Sequence, residues 1–184
     1  MTPQQLSPGI STDDFKAAMR RLPAQVCVIA ANDGSTRIAM TATAVTSLSA
    51  EPPQLLICVY REARACAVIR DAGAFCVNLL SLTQVDVAMQ CALPALAPEA
   101  RFDRGCWTPS DPLDQPMLDG APANLACRVV SAADHGTHTV FVGQIEQARF
   151  GSGTPLLYHD AAYREIGPRH DILHLEWDSA VRGF

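Results

Sequence analysis

Between Met40 and Pro53 the chain runs Met-Thr-Ala-Thr-Ala-Val-Thr-Ser-Leu-Ser-Ala-Glu-Pro-Pro, a stretch of small, β-prone side chains dense in hydroxyls. In an extended strand alternate residues share a face. Thr41, Thr43, Val45, Ser47 and Ser49 then project one way, and Ala42, Ala44, Thr46 and Leu48 the other. A face with four hydroxyls and no bulky side chain lets a flat, polar-edged molecule come up against the backbone. Taken alone, an edge strand that uses Thr for its β-propensity reads the same way.

His135 and His138 stand in Asp-His-Gly-Thr-His. They precede a strand rather than share a helix face. No Cys, Glu or His pair lies nearby in sequence to complete a zinc site, so no metal ligand is assigned. A histidine at the mouth of a strand can still present ring nitrogens to a ligand; a solvent-exposed turn residue is the plainer reading of His138.

No G-x-G-x-x-G follows a strand and no P-loop is present; Gly151-Ser-Gly153 reads as a hairpin turn. G-x-S-x-G is absent as well. Acidic residues are scattered over turns and helix starts, so no catalytic side chain is assigned. A hydroxyl-lined strand without an acid–base constellation suits an enzyme whose cofactor carries the chemistry. The seven cysteines include no C-x-x-C, and Cys27, Cys58, Cys76 and Cys127 lie in apolar, strand-like runs. Reduced core thiols are expected, not disulfides or metal ligands.

Which elements would position these residues? Ser11 or Thr12 caps a helix over residues 11–22, with Asp13 and Asp14 at its positive end and Arg20 and Arg21 at the other. Phe15, Ala18, Met19 and Leu22 form its apolar stripe, and Pro23 stops it. Strands follow at about 25–31, 36–49 and 54–60, with a turn at Asn32-Asp33-Gly34. A helix near 63–72 ends at Gly73, and a strand runs from Phe75 to Leu80. Ser81-Leu-Thr-Gln84 opens another helix as a capping box, with Leu82, Val85, Met89 and Ala92 at helical spacing. Residues 93–121 are proline-rich and aperiodic, hence a long irregular connection. Two long strands, about 122–132 and 138–150, precede short ones near 155–159 and 162–166. Many strands, few helices and no βαβ alternation point to an antiparallel barrel.

The 184 residues, 48% hydrophobic and 18% charged, fit one globular domain with a core over about 12–166 and a tail over 167–184. A net charge of −5 gives no basic field, so nucleic acid is not expected. No apolar run reaches the length of a membrane span, and the polar, proline-containing start carries no leader pattern. A cytoplasmic location is the expectation.

Several segments together resemble one family. In order they are Phe15-Lys-Ala-Ala-Met19, Met40 to Ser47, Pro52-Pro53-Gln-Leu-Leu-Ile-Cys58 and Phe75-Cys-Val-Asn78. Then come Arg101-Phe102, Gly136-Thr-His138 with Val140-Phe-Val-Gly143, and Pro155-Leu-Leu-Tyr158. The pattern is similar to the flavin reductase-like, FMN-binding split-barrel family, above all to reductase components of two-component monooxygenases acting on 4-hydroxyphenylacetate or chlorophenols. The resemblance implies a mainly β fold, a six-stranded antiparallel Greek-key barrel with flanking helices. It implies a homodimer that reduces FMN or FAD with NADH or NADPH and hands reduced flavin to a separate monooxygenase.

Carried over by position, Thr43, Ala44 and Val45 would border the flavin ring, with Thr41 on the same strand and Thr46 and Ser47 near the phosphate. Cys58 and Val59 would lie along the ring and Asn78 would close the pocket. His138 would face nicotinamide, with Tyr163 as an aromatic near the ligand. Relatives often carry Asn, Arg, Lys and Ser after the position of Cys58, whereas this chain has Tyr60, Arg61, Glu62 and Ala63, so phosphate contact there would rest on Arg61, with Arg64 as a second candidate. A non-catalytic flavin carrier or sensor on the same barrel is the alternative. A pyridoxamine phosphate oxidase relative is a weaker one, for want of a basic phosphate cluster.

Overall fold

The computed structural model describes residues 9–167. Helix α1 (Thr12–Met19) is capped by Ser11, whose Oγ accepts the Asp14 N–H at 3.0 Å. It ends short of Leu22, and its apolar stripe lies open: Phe15, Met19 and Leu22 are exposed. Strands β1 (Ala24–Gln25), β2 (Cys27–Asn32), β3 (Arg37–Ala42), β4 (Val45–Ala50) and β5 (Pro53–Tyr60) follow. Helix α2 (Arg64–Ala72) closes on Gly73 at φ 61°, a left-handed turn that glycine adopts without strain, and leads into β6 (Ala74–Leu79).

The expected capping box is present at Ser81 and Gln84, but it opens a 3-10 turn (Leu82–Gln84) before α3 (Val85–Cys91). The tighter turn shifts the helical phase. Val87, Ala88 and Cys91 are therefore the buried residues, and Met89, expected inside, is exposed. Strands β7 (Trp107–Pro109), β8 (Pro116–Leu118), β9 (Ala123–His135), β10 (His138–Phe150), β11 (Leu157–His159) and β12 (Ala162–Arg164) complete the described chain.

One antiparallel sheet of seven strands, ordered β3-β2-β6-β9-β10-β5-β4, dominates. Small sheets β1-β11-β12 and β7-β8 flank it. The fold is mainly β as expected, with two corrections. The main sheet has seven strands rather than six, and its outermost strands are not paired with each other. The segment read as one strand over 36–49 is two strands, β3 and β4, broken at Thr43-Ala44 and lying on opposite edges of the sheet.

That break dictates the overall curvature. Seven strands laid flat would put the outer two roughly 29 Å apart at the usual inter-strand spacing. The three peptide units from Ala42 to Val45 span at most about 11 Å. The sheet must curl until its edges meet at this corner, and it stays split there because no ladder joins β3 to β4.

The core has two compartments. Inside the curl, Cys27, Ile29, Ile57, Val59, Phe75 and Phe141 pack with Val68 and Ile69 of α2. Outside it, Val26, Val28, Ala30 and Leu80 pack with Val87 of α3, Leu118 and Leu156. Strand β2 is covered on both faces, which is why Val26 to Ala31 read as an unbroken apolar run. Each such Ile or Phe adds on the order of 1.5–3 kcal/mol by leaving water. Gly143 is a steric necessity here, since a Cβ would fall 2.6 Å from Phe75 Cζ and 2.7 Å from Cys127 Cβ.

The connection over 93–121 is far more ordered than its composition promises. Arg101 is buried, donating to the carbonyls of Ala39 (3.2 Å), Cys91 (2.7 Å) and Leu93 (2.6 Å). Gln115 donates to Asn32 O, and its Oε1 accepts the Asn32 N–H. Side-chain-to-backbone bonds tie this segment down in place of an amphipathic repeat. The Gly151–Gly153 turn is also corrected: it carries the chain from the main sheet toward β11 of another sheet and closes no hairpin. Among the described residues all seven cysteines are free thiols, and no helix is long and apolar enough to cross a membrane. Burial pushes the Cys27 and Cys127 thiols up to about 12. The tail over 168–184 lies outside the described residues.

Candidate functional site

The nominated residues fall into four groups. Thr41, Thr43 and Tyr163 come together in a cleft of about 260 Å³ with Val26, Ala92 and Tyr158. Thr41 hangs from β3 with its hydroxyl donated to Ala88 O of α3 at 2.6 Å, which ties the cleft wall to the helix. Tyr158 and Tyr163 face each other across the β11–β12 hairpin, ring centroids 5.7 Å apart and edge to face. Burial, with Tyr158 second, raises the Tyr163 phenol above its ordinary value, so it stays a neutral donor at neutral pH.

The second group follows the corner. Thr43 and Ala44 are exposed, and among the described residues their N–H groups donate to nothing. Their carbonyls accept the N–H groups of Val45 and Cys58, at 3.0 and 3.1 Å. Beyond the corner Val45 turns onto the inner core. Register pairs Thr46 with Leu56 and Ser47 with Leu55, so the two point to opposite faces of the sheet, both exposed. Cys58 is half-buried on the outer face of β5, in line with Tyr60. The hydroxyl face expected over 41–49 is thus interrupted at the corner instead of running continuously.

The third group lies at the tip of the β9–β10 hairpin. His138 pairs with His135 on one side and Tyr60 on the other. Its Nδ1 is 2.9 Å from Thr137 Oγ1 and its ring meets Tyr60 edge-on at 5.8 Å. The Arg61 N–H donates to Thr137 O, which places Arg61 beside the same turn. Beneath it, Thr139 donates to Asp134 at 2.7 Å and Arg70 donates to Asp134 at 2.6 Å and to Thr139 at 3.1 Å. The Thr139 hydroxyl, then Arg70, hold the Asp134 carboxyl below its ordinary value. Ser47 sits opposite Leu55, six residues before Arg61, hence about 20 Å away along the strand. One phosphate group cannot touch both.

The fourth group is a correction. Val59 is 0% exposed within the inner core and Asn78 is 0% exposed beneath β8. Asn78 Nδ2 donates to Val28 O and Pro116 O, while its Oδ1 accepts the Leu118 N–H and Asn124 Nδ2. Neither residue has surface left for a ligand. Tyr158 and Ala92, which the cleft contains, were not nominated; pairing of Tyr158 with Tyr163 across a tight turn is the signal that could have found Tyr158.

The donor set fits a flavin. A flat heterocycle with alternating carbonyl and N–H groups along one edge needs backbone donors, small neighbours and an apolar or aromatic wall. Thr43, Ala44 and the two tyrosines supply all three. Among the described residues no three His, Cys, Asp or Glu side chains cluster as metal ligands.

Known proteins of the same make lie close. The flavin reductase like domain family matches residues 19–167. The reductase component of the FADH(2)-dependent resorcinol hydroxylase of Rhizobium sp. (strain MTP-10005) is 41% identical over 167 residues, 89% of this chain and 92% of that protein. The FMN reductase (NADH) of Stutzerimonas stutzeri (strain A1501) is 34% identical over 90% of this chain and 94% of its own. Among solved structures, the flavin reductase component of a bacterial two-component tryptophan halogenase superposes with a TM-score of 0.80 at 28% identity, covering 86% of this chain and 100% of its own. The Streptomyces globisporus C-1027 NADH:FAD oxidoreductase in complex with NAD and FAD fragments has a TM-score of 0.80 at 26% identity, over 88% and 98% of the two chains.

Proposed function

The chain belongs to the flavin reductase like domain family, and from that premise we propose that it is an NADH:flavin oxidoreductase supplying reduced flavin to a separate monooxygenase. The observation that carries this reading is the Thr43-Ala44 corner, where two unbonded backbone donors stand beside a hydroxyl- and tyrosine-lined cleft. Flavin, when bound, supplies the hydride-accepting chemistry. The protein's part is to hold the ring by its edge and to stabilise negative charge on that edge with donors already in place. Thr43, Ala44 and Tyr163 hold the ring in this reading, Cys58 lies along it, and Thr46 lies toward the phosphate on the same outer face. His138, with Tyr60 and Arg61, takes the nicotinamide side. No protein base is required for hydride transfer.

Thr43, Ala44, Tyr60 and His138 all lie exposed on this face of the single chain. A homodimer whose second copy covers this face completes the site in our reading; light scattering that finds a monomer with normal flavin affinity would count against it. The function itself is tested by mixing the protein with NADH and FMN or FAD without oxygen. Bleaching of the flavin absorbance with turnover is the expected result. Tight flavin binding without bleaching would make the protein a carrier or sensor instead.

A further inference from the structure

Arg101 is the one charged side chain among the described residues that is buried, at 8% exposure. No carboxylate among those residues pairs with it. Backbone carbonyls alone hold its guanidinium. Nη1 donates to Ala39 O at 3.2 Å and Cys91 O at 2.7 Å, and Nη2 to Leu93 O at 2.6 Å and Pro94 O at 3.4 Å. Its Nε is buried without a partner. A cation taken out of water with no counter-charge and one donor unmet is a costly way to fill a core.

The carbonyls it holds belong to two walls of the cleft. Ala39 stands two residues before Thr41 on β3, and Cys91 and Leu93 flank Ala92 where α3 ends. Thr41 and Ala92 both line the cleft, and Arg101 lies behind them. The same walls meet again at Ala88 O, which accepts the Thr41 hydroxyl at 2.6 Å and the Ala92 N–H at 3.1 Å. Strand β3 is an edge of its sheet, and among the described residues these two bridges are its hydrogen bonding to the end of α3. Arg101 is anchored from that helix in turn: Cys91 Sγ donates to Arg101 O at 3.6 Å, and Gln90 Nε2 donates to Ala100 O.

We propose that Arg101 is a positioning residue for the flavin, holding Ala92 in place beside Thr41 and so setting the width of the cleft that receives the ring. The inference rests on the flavin reductase reading above. A guanidinium suits the task because its donors form a rigid planar fork that keeps several carbonyls in fixed relation. An ammonium keeps the charge without the fork. A wall seated this way is in place before the ligand arrives, so less binding free energy goes into ordering it.

The test is equilibrium titration with FMN of Arg101→Lys and Arg101→Met, well below their melting temperatures, with Asn78→Ala as the control for lost stability. FMN affinity should fall about tenfold in Arg101→Met and about threefold in Arg101→Lys, as for groups coupled through a shared backbone shift. Asn78→Ala should bind FMN as the wild type does. KM for NADH at saturating flavin should stay within about twofold in all three. A fall in Arg101→Met alone would make charge, not placement, the cause and would overturn the proposal. So would an equal fall in Asn78→Ala, a matching rise in KM for NADH, or unchanged FMN affinity in the folded variants. Should neither Arg101 variant fold, wild-type protein labelled with nitrogen-15 at arginine decides: FMN should shift the Arg101 side-chain resonances, and resonances that flavin leaves unmoved would sink the idea. Wild-type protein that binds flavin but reduces none with NADH defeats the enzymatic reading alone, because this test reads binding.

Discussion

Asn78 and the Thr43-Ala44 corner are both polar spots in apolar strand surroundings, yet their hydrogen bonding is opposite. Asn78 is fully buried, its amide nitrogen donating twice and its oxygen accepting from Leu118 N–H, Asn124 Nδ2 and the Cys76 thiol. The corner is exposed and its two N–H groups are bonded to nothing among the described residues. A polar group that is saturated internally serves the fold. A donor left over in a shaped hollow is available to a ligand. Residue type does not separate the two cases; unmet hydrogen-bonding capacity does.

The sharpest way to break this comparison is Asn78→Ala. It strands two carbonyls, the Leu118 N–H and Asn124 at once, and should cost roughly 3 kcal/mol of stability. In a domain of this size that lowers Tm by about 6–12 °C, while flavin affinity of the folded fraction stays unchanged. A variant that melts normally but loses flavin would reverse the assignment of Asn78.

Thr43→Val is the converse experiment. Its hydroxyl makes no bond to the described residues, so stability should move by less than about 0.5 kcal/mol. Flavin binding should weaken by about 1 kcal/mol, near fivefold, as one hydrogen bond is lost. Thermal melting and a flavin titration on the same sample check both halves.

His138→Ala should raise KM for NADH about threefold to tenfold with kcat and flavin affinity nearly constant, the signature of lost binding without lost chemistry. A fall in kcat would mean that the imidazole also orients the nicotinamide ring. Unaltered kinetics would leave His138 a turn residue.

The smallest effect concerns Asp134, which braces the same hairpin. Its folded carboxyl sits below the ordinary value because of Thr139 and then Arg70. The stabilisation it gives is complete above the unfolded carboxylate pKa, about 3.9, and is lost as pH falls through the lowered folded value. Asp134→Asn should therefore lower stability slightly at neutral pH, where the exposed pair contributes little, and flatten the acid side of the profile, so that the two proteins converge at low pH. Denaturant melts at a series of pH values between neutral and acid measure this; an identical slope in both proteins would rule the brace out.

Much of this was legible in the chain. The apolar run from Val26 to Ala31, the Ser81–Gln84 capping box, Gly73 and the paired long strands around Gly136-Thr137 each express a local rule strongly. The alternation in β5 was legible too: Leu55, Ile57 and Val59 share a phase, so Val59 belongs with the core and Cys58 with the outside. The break at Thr43-Ala44 was not, because threonine and alanine suit a strand and nothing local marks a corner imposed by sheet closure. Nor was the order in residues 93–121, where isolated long-range bonds from Arg101 and Gln115 replace any periodic signal.

The split between β3 and β4 also has a meaning in time. Strands β2, β6, β9, β10 and β5 are hydrogen-bonded on both sides, so their amides exchange with solvent only through large openings. The two edge strands and the corner between them need break no ladder with each other to move apart. Opening at the seam breaks no ladder between β3 and β4, and it falls at the corner proposed above to hold the flavin's edge. A molecule that occupies the corner takes up the idle Thr43 and Ala44 amides and slows their exchange, so those two protons act as a clock for residence.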